Sequence, residues 1–242
     1  MHSILITNDD GIAADGIIRL AAAARSFGEV WVVAPLTQRS AASHSISLHN
    51  PIDIYPHEFP VEGVRAFSCS GTPGDCVRVG CLSIMPQRPD TVLSGINFGF
   101  NVASDIQYSA TAGAAFEASF QGLRAIALSE PASSRHDVTD RYLHEILARL
   151  LEEPAAGGQI RNVNFPACPP EDCKGILWNT SVSRGMIYRD RYNLLEQLTN
   201  GGQRFMVEGI ETAEAEDGTD FRAILDGYIS VGTVNNIGYP VQ

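Results

Sequence analysis

The sequence predicts an α/β fold built on a mostly parallel β-sheet with helices packed against it. The chain opens with an apolar strand at 3–6, an amphipathic helix at 17–27 and a second apolar strand at 30–34. Both strands are continuously apolar, which is typical of strands buried on both faces of a parallel sheet. A parallel strand–helix–strand unit takes a right-handed crossover. The length of 242 residues suffices for one such domain.

The alternation of strands and helices continues to about residue 165. The further elements are predicted as a turn into a short helix at 71–75, a strand at 91–94, a helix at 111–122, a strand at 125–128, a helix around 142–150 and a strand at 162–165. Beyond Trp178 the periodicity weakens and charges increase, until a final strand at 228–231. We therefore divide the chain into a core at 1–178 and, at 179–242, a C-terminal arm with a strand that returns to the core.

Composition excludes several classes of partner. Seventeen basic and 28 acidic residues give a net charge of −11, which argues against binding to a nucleic-acid duplex or an anionic membrane. No apolar run has the length of a transmembrane helix, and the first strand begins within three residues of the N-terminus, so we expect neither a membrane span nor a signal peptide. The five cysteines contain no CxxC pair, so we expect reduced thiols and a cytoplasmic location.

Two adjacent carboxylates, Asp9 and Asp10, follow the first predicted strand and precede Gly11. In open α/β sheets, ligands bind beyond the carboxyl ends of the strands. Two acids crowded there repel each other unless a positive charge lies between them, and a divalent cation that prefers oxygen ligands provides one. The alternative is a turn followed by a helix N-cap, since Asn, Asp and Gly favour both.

Three further polar clusters follow strands or turns in the same part of the chain. The first contains Ser40, the second contains Asn97 and Asn101, and the third contains Ser109 and Thr111. In a parallel sheet all three can converge on the edge where the paired carboxylates emerge. Hydroxyl and N–H groups at a helix start suit an anion. Each cluster by itself is also compatible with an ordinary turn or N-cap.

In this combination the sequence resembles the SurE family. The shared motifs are Asn8-Asp9-Asp10-Gly11, Ala34-Pro35 with Arg39-Ser40, Gly71-Thr72-Pro73 with Asp75-Cys76-Val77, Ser94-Gly95-Ile96-Asn97 with Gly99 and Asn101, Tyr108-Ser109 with Thr111–Ala115, Asn162-Val163-Asn164 and Gly218–Phe221. They occur in order and span nearly the whole chain. No single motif is decisive, but the ordered combination is highly specific.

The resemblance implies a metal-dependent phosphomonoesterase that acts on nucleoside monophosphates, with activity toward 3′-nucleotides and short polyphosphates left open. It implies a Rossmann-like core with helices on both faces of the sheet, and a C-terminal hairpin or helical arm that joins subunits into a homodimer or homotetramer. One divalent cation per subunit, Mg²⁺ or Mn²⁺, is implied. Its ligands map onto Asp9, Asp10, Ser40 and Asn97, and the phosphate pocket maps onto Asn101, Ser109 and Thr111.

The departures from the family pattern are local. Asp15 stands where Pro is commoner, Leu36-Thr37 stands where Asp-Arg is frequent, and Ala110 replaces a usual Gly. The four implied metal ligands are intact. The departures therefore bear on substrate preference and loop mobility rather than on activity.

Several assignments stay open at the level of sequence. Either water or one residue of the Asp9–Asp10 pair could attack phosphorus. His44 is either a solvent-exposed loop residue or the proton donor to the leaving group. Phe98 and Phe100 could stack on a base or pack in a core.

Two rival classes of protein fit the sequence less well. Phosphatases of the dehalogenase type contain two aspartates separated by one residue, whereas Asp9 and Asp10 are adjacent. A nonenzymatic nucleotide-binding or sensing module of Rossmann type would be expected to contain a glycine-rich loop after the first strand, but the pattern Gly-x-Gly-x-x-Gly does not occur there.

Overall fold

The computed structural model describes residues 2–154 and 157–236. A nine-stranded sheet has the strand order β3-β4-β2-β1-β5-β6-β7-β11-β8, and β9 and β10 form a separate hairpin. The strands are β1 (His2–Thr7), β2 (Gly28–Pro35), β3 (Ile54–His57), β4 (Arg65–Cys69), β5 (Thr91–Phe98), β6 (Arg124–Glu130), β7 (Gln159–Asn164), β8 (Ile176–Thr180), β9 (Tyr188–Gln197), β10 (Gln203–Glu211) and β11 (Ile229–Asn235). The α-helices are α1 (Asp15–Ala24), α2 (Pro73–Val79), α3 (Ala110–Phe120), α4 (Asp137–Glu152) and α5 (Asp220–Leu225).

The central strands of the sheet are parallel, as predicted. β1 pairs in parallel with β2 on one side and β5 on the other, and the parallel ladder continues through β6 to β7. Residues of β1 alternate between two cores: Ile4 and Ile6 pack with the buried residues of α1 and α4, whereas Leu5 packs with those of α2 and α3. The α/β class with helices on both faces is therefore confirmed.

Three strands of the sheet were not predicted. β3 and β4 extend one edge, where β3 runs antiparallel to β4. β8 forms the other edge and pairs in parallel with β11, which in turn runs antiparallel to β7. β8 spans the predicted boundary at residue 178, and the division into core and arm stays a prediction.

The β9–β10 hairpin extends from the core as an exposed antiparallel pair. Every residue of both strands is exposed, including the large apolar side chains of Tyr192, Leu195 and Met206. Ile187, just before the hairpin, is buried in a small cluster with Phe221 and neighbouring apolar residues. Over the part of the chain that the structure describes, no helix has both the length and the apolar character needed to cross a membrane.

Candidate active site

The paired carboxylates lie at the carboxyl end of β1, in the middle of the sheet. Asp9 is 4% exposed, and its Oδ1 accepts a hydrogen bond of 2.5 Å from the hydroxyl of Thr111 on α3. Its backbone carbonyl accepts a bond of 2.7 Å from the N–H of Arg39, in the loop after β2. Helix α3 and the β2 loop therefore both converge on Asp9, although Thr111 is 102 residues away in sequence.

Asp10 connects the pair to β5. Its Oδ2 accepts a hydrogen bond of 2.9 Å from the backbone N–H of Phe98. This contact brings Asn97, the preceding residue on β5, to the same edge of the sheet. The side-chain amide of Asn97 donates to the carbonyl of Gly99 at 2.8 Å, so its carbonyl oxygen is the end of the side chain suited to a cation.

Ser40 lies in the exposed loop after β2, next to the Arg39 N–H that binds Asp9. Its hydroxyl accepts a hydrogen bond of 2.9 Å from the side-chain amide of Gln38. The bond leaves the hydroxyl free to donate or to offer its second lone pair. The four predicted cation ligands thus come from the ends of three adjacent strands, β2, β1 and β5.

In the part of the chain that the structure describes, no cationic side chain offsets the charges of Asp9 and Asp10. Burial raises the pKa of Asp9 to about 6; the Thr111 hydroxyl lowers it in part and the charge of Asp10 raises it further. Burial also raises the pKa of Asp10, and the Phe98 N–H partly offsets that effect. Among the described residues, no Lys, Arg or His contributes to either pKa. This unbalanced pair of hard oxygen donors, with Ser40 and Asn97 beside it, fits a divalent cation.

The three predicted phosphate-binding residues have different environments. Thr111 faces Asp9, as described above. Ser109 is the N-cap of α3, and its hydroxyl accepts a bond of 3.0 Å from the N–H of Ala112. Asn101 lies in a buried polar network in which its amide donates to Ser129 at 2.8 Å and its N–H donates to Asn164 at 2.8 Å. Their phosphate-binding roles remain predictions.

His44 lies on the loop that packs across α3. Its Nε2 is 2.9 Å from Oε2 of Glu117, and the other oxygen of Glu117 accepts a bond of 3.1 Å from Arg78. The hydrogen bond to His44, with the further contacts of the carboxylate, lowers the pKa of Glu117. The loop contacts α3 closely at Gly113, where an added Cβ would lie 2.4 Å from the carbonyl oxygen of Ser43. Glu117 therefore orients the imidazole of His44 on the face of α3.

A second cluster, which was not predicted from the sequence, lies at the end of β6. Glu130 is 2% exposed, and its Oε1 accepts a hydrogen bond from Arg19 and lies 3.1 Å from Nδ1 of His136. Arg19 also binds Asp15 at 2.6 Å and Asp140 at 2.7 Å. A signal existed in the sequence, because Glu130 comes two residues after the strand predicted at 125–128, much as Asp9 comes three residues after the strand predicted at 3–6.

The chain as a whole is similar to proteins of one known family. The family model described as "Survival protein SurE" matches residues 4–187. The chain belongs to the SurE family. A protein of Brucella canis named 5'-nucleotidase SurE is 38% identical over 94% of this chain and 90% of its own length. One of the same name from Clostridium botulinum is 36% identical over 95% and 91%.

A solved SurE structure shares the fold. The crystal structure of the SurE protein from Aquifex aeolicus superimposes with a TM-score of 0.80, at 32% identity, and covers 96% of this chain and 92% of that one.

One of the motifs that carry the SurE resemblance is structural in this chain. Asp220 is 3% exposed, and its carboxylate accepts bonds from the N–H groups of Ala103, Ser183 and Phe221. It thereby ties α5 to two loops of the core.

Proposed function

We propose that this chain is a metal-dependent phosphomonoesterase that hydrolyses nucleoside monophosphates to nucleoside and phosphate. One observation carries the proposal: Asp9 and Asp10 lie at the carboxyl end of a central parallel strand, without a cationic partner among the described residues. Membership of the SurE family supports it, as do the relatives named 5'-nucleotidase SurE.

Asp9, Asp10, Ser40 and Asn97 would hold one divalent cation, for which we propose Mg²⁺ or Mn²⁺. When bound, such a cation would neutralise negative charge on the phosphoryl oxygens and activate a water molecule. The protein prepares the site before any ligand arrives. The Thr111 hydroxyl fixes Asp9 and the Phe98 N–H fixes Asp10. Carboxylates held in this way lose little conformational freedom on binding.

The remaining predicted residues take roles around the phosphoryl group. Asn101, Ser109 and Thr111 would hold its oxygens where negative charge persists in the transition state. His44 would donate a proton to the leaving oxygen, with Glu117 as the residue that positions its ring. The His44 loop packs on α3 at Gly113, two residues after Thr111, so the same helix positions both groups.

We further propose that the chain forms a homodimer or homotetramer in the cytoplasm. The β9–β10 hairpin exposes large apolar side chains, including Tyr192, Leu194 and Phe205, along its length. An isolated two-stranded hairpin is marginal in water, so a second subunit that covers these side chains would stabilise it. The five cysteines are all free, which suits a reducing compartment.

Phosphate release tests the proposed activity. We expect the purified protein with Mn²⁺ to release phosphate from adenosine monophosphate, EDTA to abolish the release, and added Mn²⁺ to restore it. Asp10→Asn should remove activity without unfolding the protein, and Asp137→Asn, on an exposed residue at the start of α4, serves as the matched control. A folded protein that binds the nucleotide but releases no phosphate with any divalent cation would instead indicate a nucleotide-binding module.

A further inference from the structure

The motif Asn162-Val163-Asn164 contains two asparagines that are almost completely buried. Asn162 is 2% exposed and Asn164 is 0% exposed. They lie two residues apart at the carboxyl end of β7, so their side chains project from the same face of the sheet. Because β7 continues the parallel ladder from β5 through β6, the motif lies at the same edge of the sheet as Asp9 and Asp10.

Both asparagines bind the main chain of Asn101. The carbonyl oxygen of Asn101 accepts a hydrogen bond of 2.8 Å from the side-chain amide of Asn162 and another of 3.1 Å from that of Asn164. The side-chain oxygen of Asn164 accepts a bond of 2.8 Å from the backbone N–H of Asn101. Side chains of β7 therefore fix one residue of the segment that joins β5 to α3.

The residues on both sides of Asn101 are apolar. Val102 and Ala103 are buried in the cluster around Phe221, and Phe100 packs against the same cluster. A peptide group in such surroundings is unfavourable unless its N–H and C=O groups are hydrogen-bonded. Since Asn101 lies beyond the end of β5 and outside its ladder, the asparagine side chains of β7 supply these bonds instead of a neighbouring strand.

Ser129 fixes the side chain of the same residue. Its hydroxyl is buried and accepts a hydrogen bond of 2.8 Å from the side-chain amide of Asn101. Ser129 on β6 is the register partner of Asn164 on β7, so neighbouring residues of two strands hold the side chain and the main chain of Asn101. An amide group carries two N–H donors, so the bond to Ser129 orients the group and leaves the second donor for another acceptor.

We propose that Ser129, Asn162 and Asn164 are positioning residues, which hold the side-chain amide of Asn101 where it donates to a phosphoryl oxygen. The inference rests on the proposed phosphomonoesterase function, in which Asn101 binds the phosphoryl group. Both β7 asparagines direct their amide N–H groups at the main chain, so they act on the substrate only through Asn101. A donor that is fixed before the substrate arrives needs no reorganisation as charge develops in the transition state.

Double-mutant cycles on the hydrolysis of adenosine monophosphate with Mn²⁺ test this role. Asn101→Ala should lower kcat about 100-fold, as expected for the loss of one fixed donor to the transition state. Ser129→Ala leaves the main-chain bonds of Asn101 intact and Asn164→Ala removes two of them, and each should lower kcat about tenfold. KM should change by less than about twofold, because the interaction strengthens only in the transition state. Neither variant should lower kcat further when it is combined with Asn101→Ala, because each acts through that side chain.

Two measurements separate positioning from general damage to the fold. Asn101 is not a candidate cation ligand, so calorimetry should give the wild-type affinity for Mn²⁺ in every variant. Thr180→Val breaks another buried hydrogen bond, that of 2.8 Å to Ser230, on the edge strand β8, and should keep the wild-type kcat.

Three results would overturn the positioning role while the nucleotidase proposal stands. The first is an Asn101→Ala protein with the wild-type kcat. The second is a loss from Ser129→Ala or Asn164→Ala that adds in full to the loss from Asn101→Ala. The third is an affinity for Mn²⁺ that falls together with kcat. A wild-type protein that releases no phosphate with Mn²⁺ would overturn the proposed function, and the positioning role with it.

Discussion

Replacing Asp9 by asparagine should stabilise the metal-free protein while it abolishes activity. Burial is the main cause that raises the pKa of Asp9 from 3.8 to about 6. A carboxyl group with a raised pKa in the folded state binds its proton more tightly there than in the unfolded chain. Stability is therefore lost as the pH rises from about 4 to about 6, and the loss is complete above that window.

The magnitude follows from the size of the shift. A shift of about two pKa units corresponds to about 3 kcal/mol of unfolding free energy at about pH 8, and to roughly half of that at about pH 5. Asparagine carries no charge and keeps an oxygen that can accept the Thr111 hydroxyl bond. In EDTA, Asp9→Asn should gain up to about 3 kcal/mol relative to the wild type at about pH 8. With Mn²⁺ at about 100 times its Kd, the wild type should regain about 2.7 kcal/mol.

Urea denaturation followed by circular dichroism, in EDTA at both pH values, measures this difference. Asp75→Asn is the contrasting control. Burial alone would raise the pKa of Asp75, but bonds from the N–H groups of Thr72 and Ser47 and from the Ser47 hydroxyl outweigh it, and the pKa is lowered. That variant should therefore lose stability above about pH 4, where the wild-type carboxylate is charged. An Asp9→Asn protein that is less stable than the wild type in EDTA at about pH 8 would refute the reasoning.

Three further changes probe the site and the arm. Thr111→Val removes the hydroxyl that binds Asp9, so calorimetry should show an affinity for Mn²⁺ about tenfold weaker than that of the wild type. Thr111→Ser should restore the affinity, and an unchanged affinity in Thr111→Val would contradict this role. Gly16→Ala places a Cβ 2.1 Å from the backbone carbonyl oxygen of Ile96, and thermal melts should show a loss of about 1–3 kcal/mol in the free energy of unfolding. In the control Gly157→Ala the new Cβ meets no neighbour within 4 Å, and the stability should not change. Replacing 188–211 by a short turn should give a smaller species in sedimentation at micromolar concentration, and a wild-type chain that sediments as a monomer would rule out assembly through the hairpin.

The central sheet could be predicted because its strands are buried on both faces. β1, β2, β5 and β6 are buried over most of their length, and each contains consecutive apolar residues, a pattern that is local in the sequence. β3 and β8 lie at the two edges of the sheet, where alternate residues stay partly exposed. Their sequences are short and mixed, so periodicity alone does not identify them.

Part of the candidate site could also be predicted from the sequence. Parallel strands bring their carboxyl ends to one edge, so polar residues after β1, β2 and β5 were expected to converge. The bonds from Thr111 to Asp9 and from Phe98 to Asp10, together with the Arg39 N–H on Asp9, agree with that expectation. The roles of these residues await the experiments proposed above.

The sequence by itself therefore determined the fold class and the strand ends at which polar residues gather, because hydrophobic burial leaves a local pattern along the chain. Only the tertiary structure decided which side chains meet. It placed Arg19 and His136 on Glu130, left Phe98 exposed, and packed the partly buried Phe100 against the cluster around Phe221. The contact of Arg19 with Glu130 joins residues 111 positions apart in the sequence. The partners in such a contact depend on the order of strands in the sheet and on the packing of helices on its faces, which no local pattern encodes.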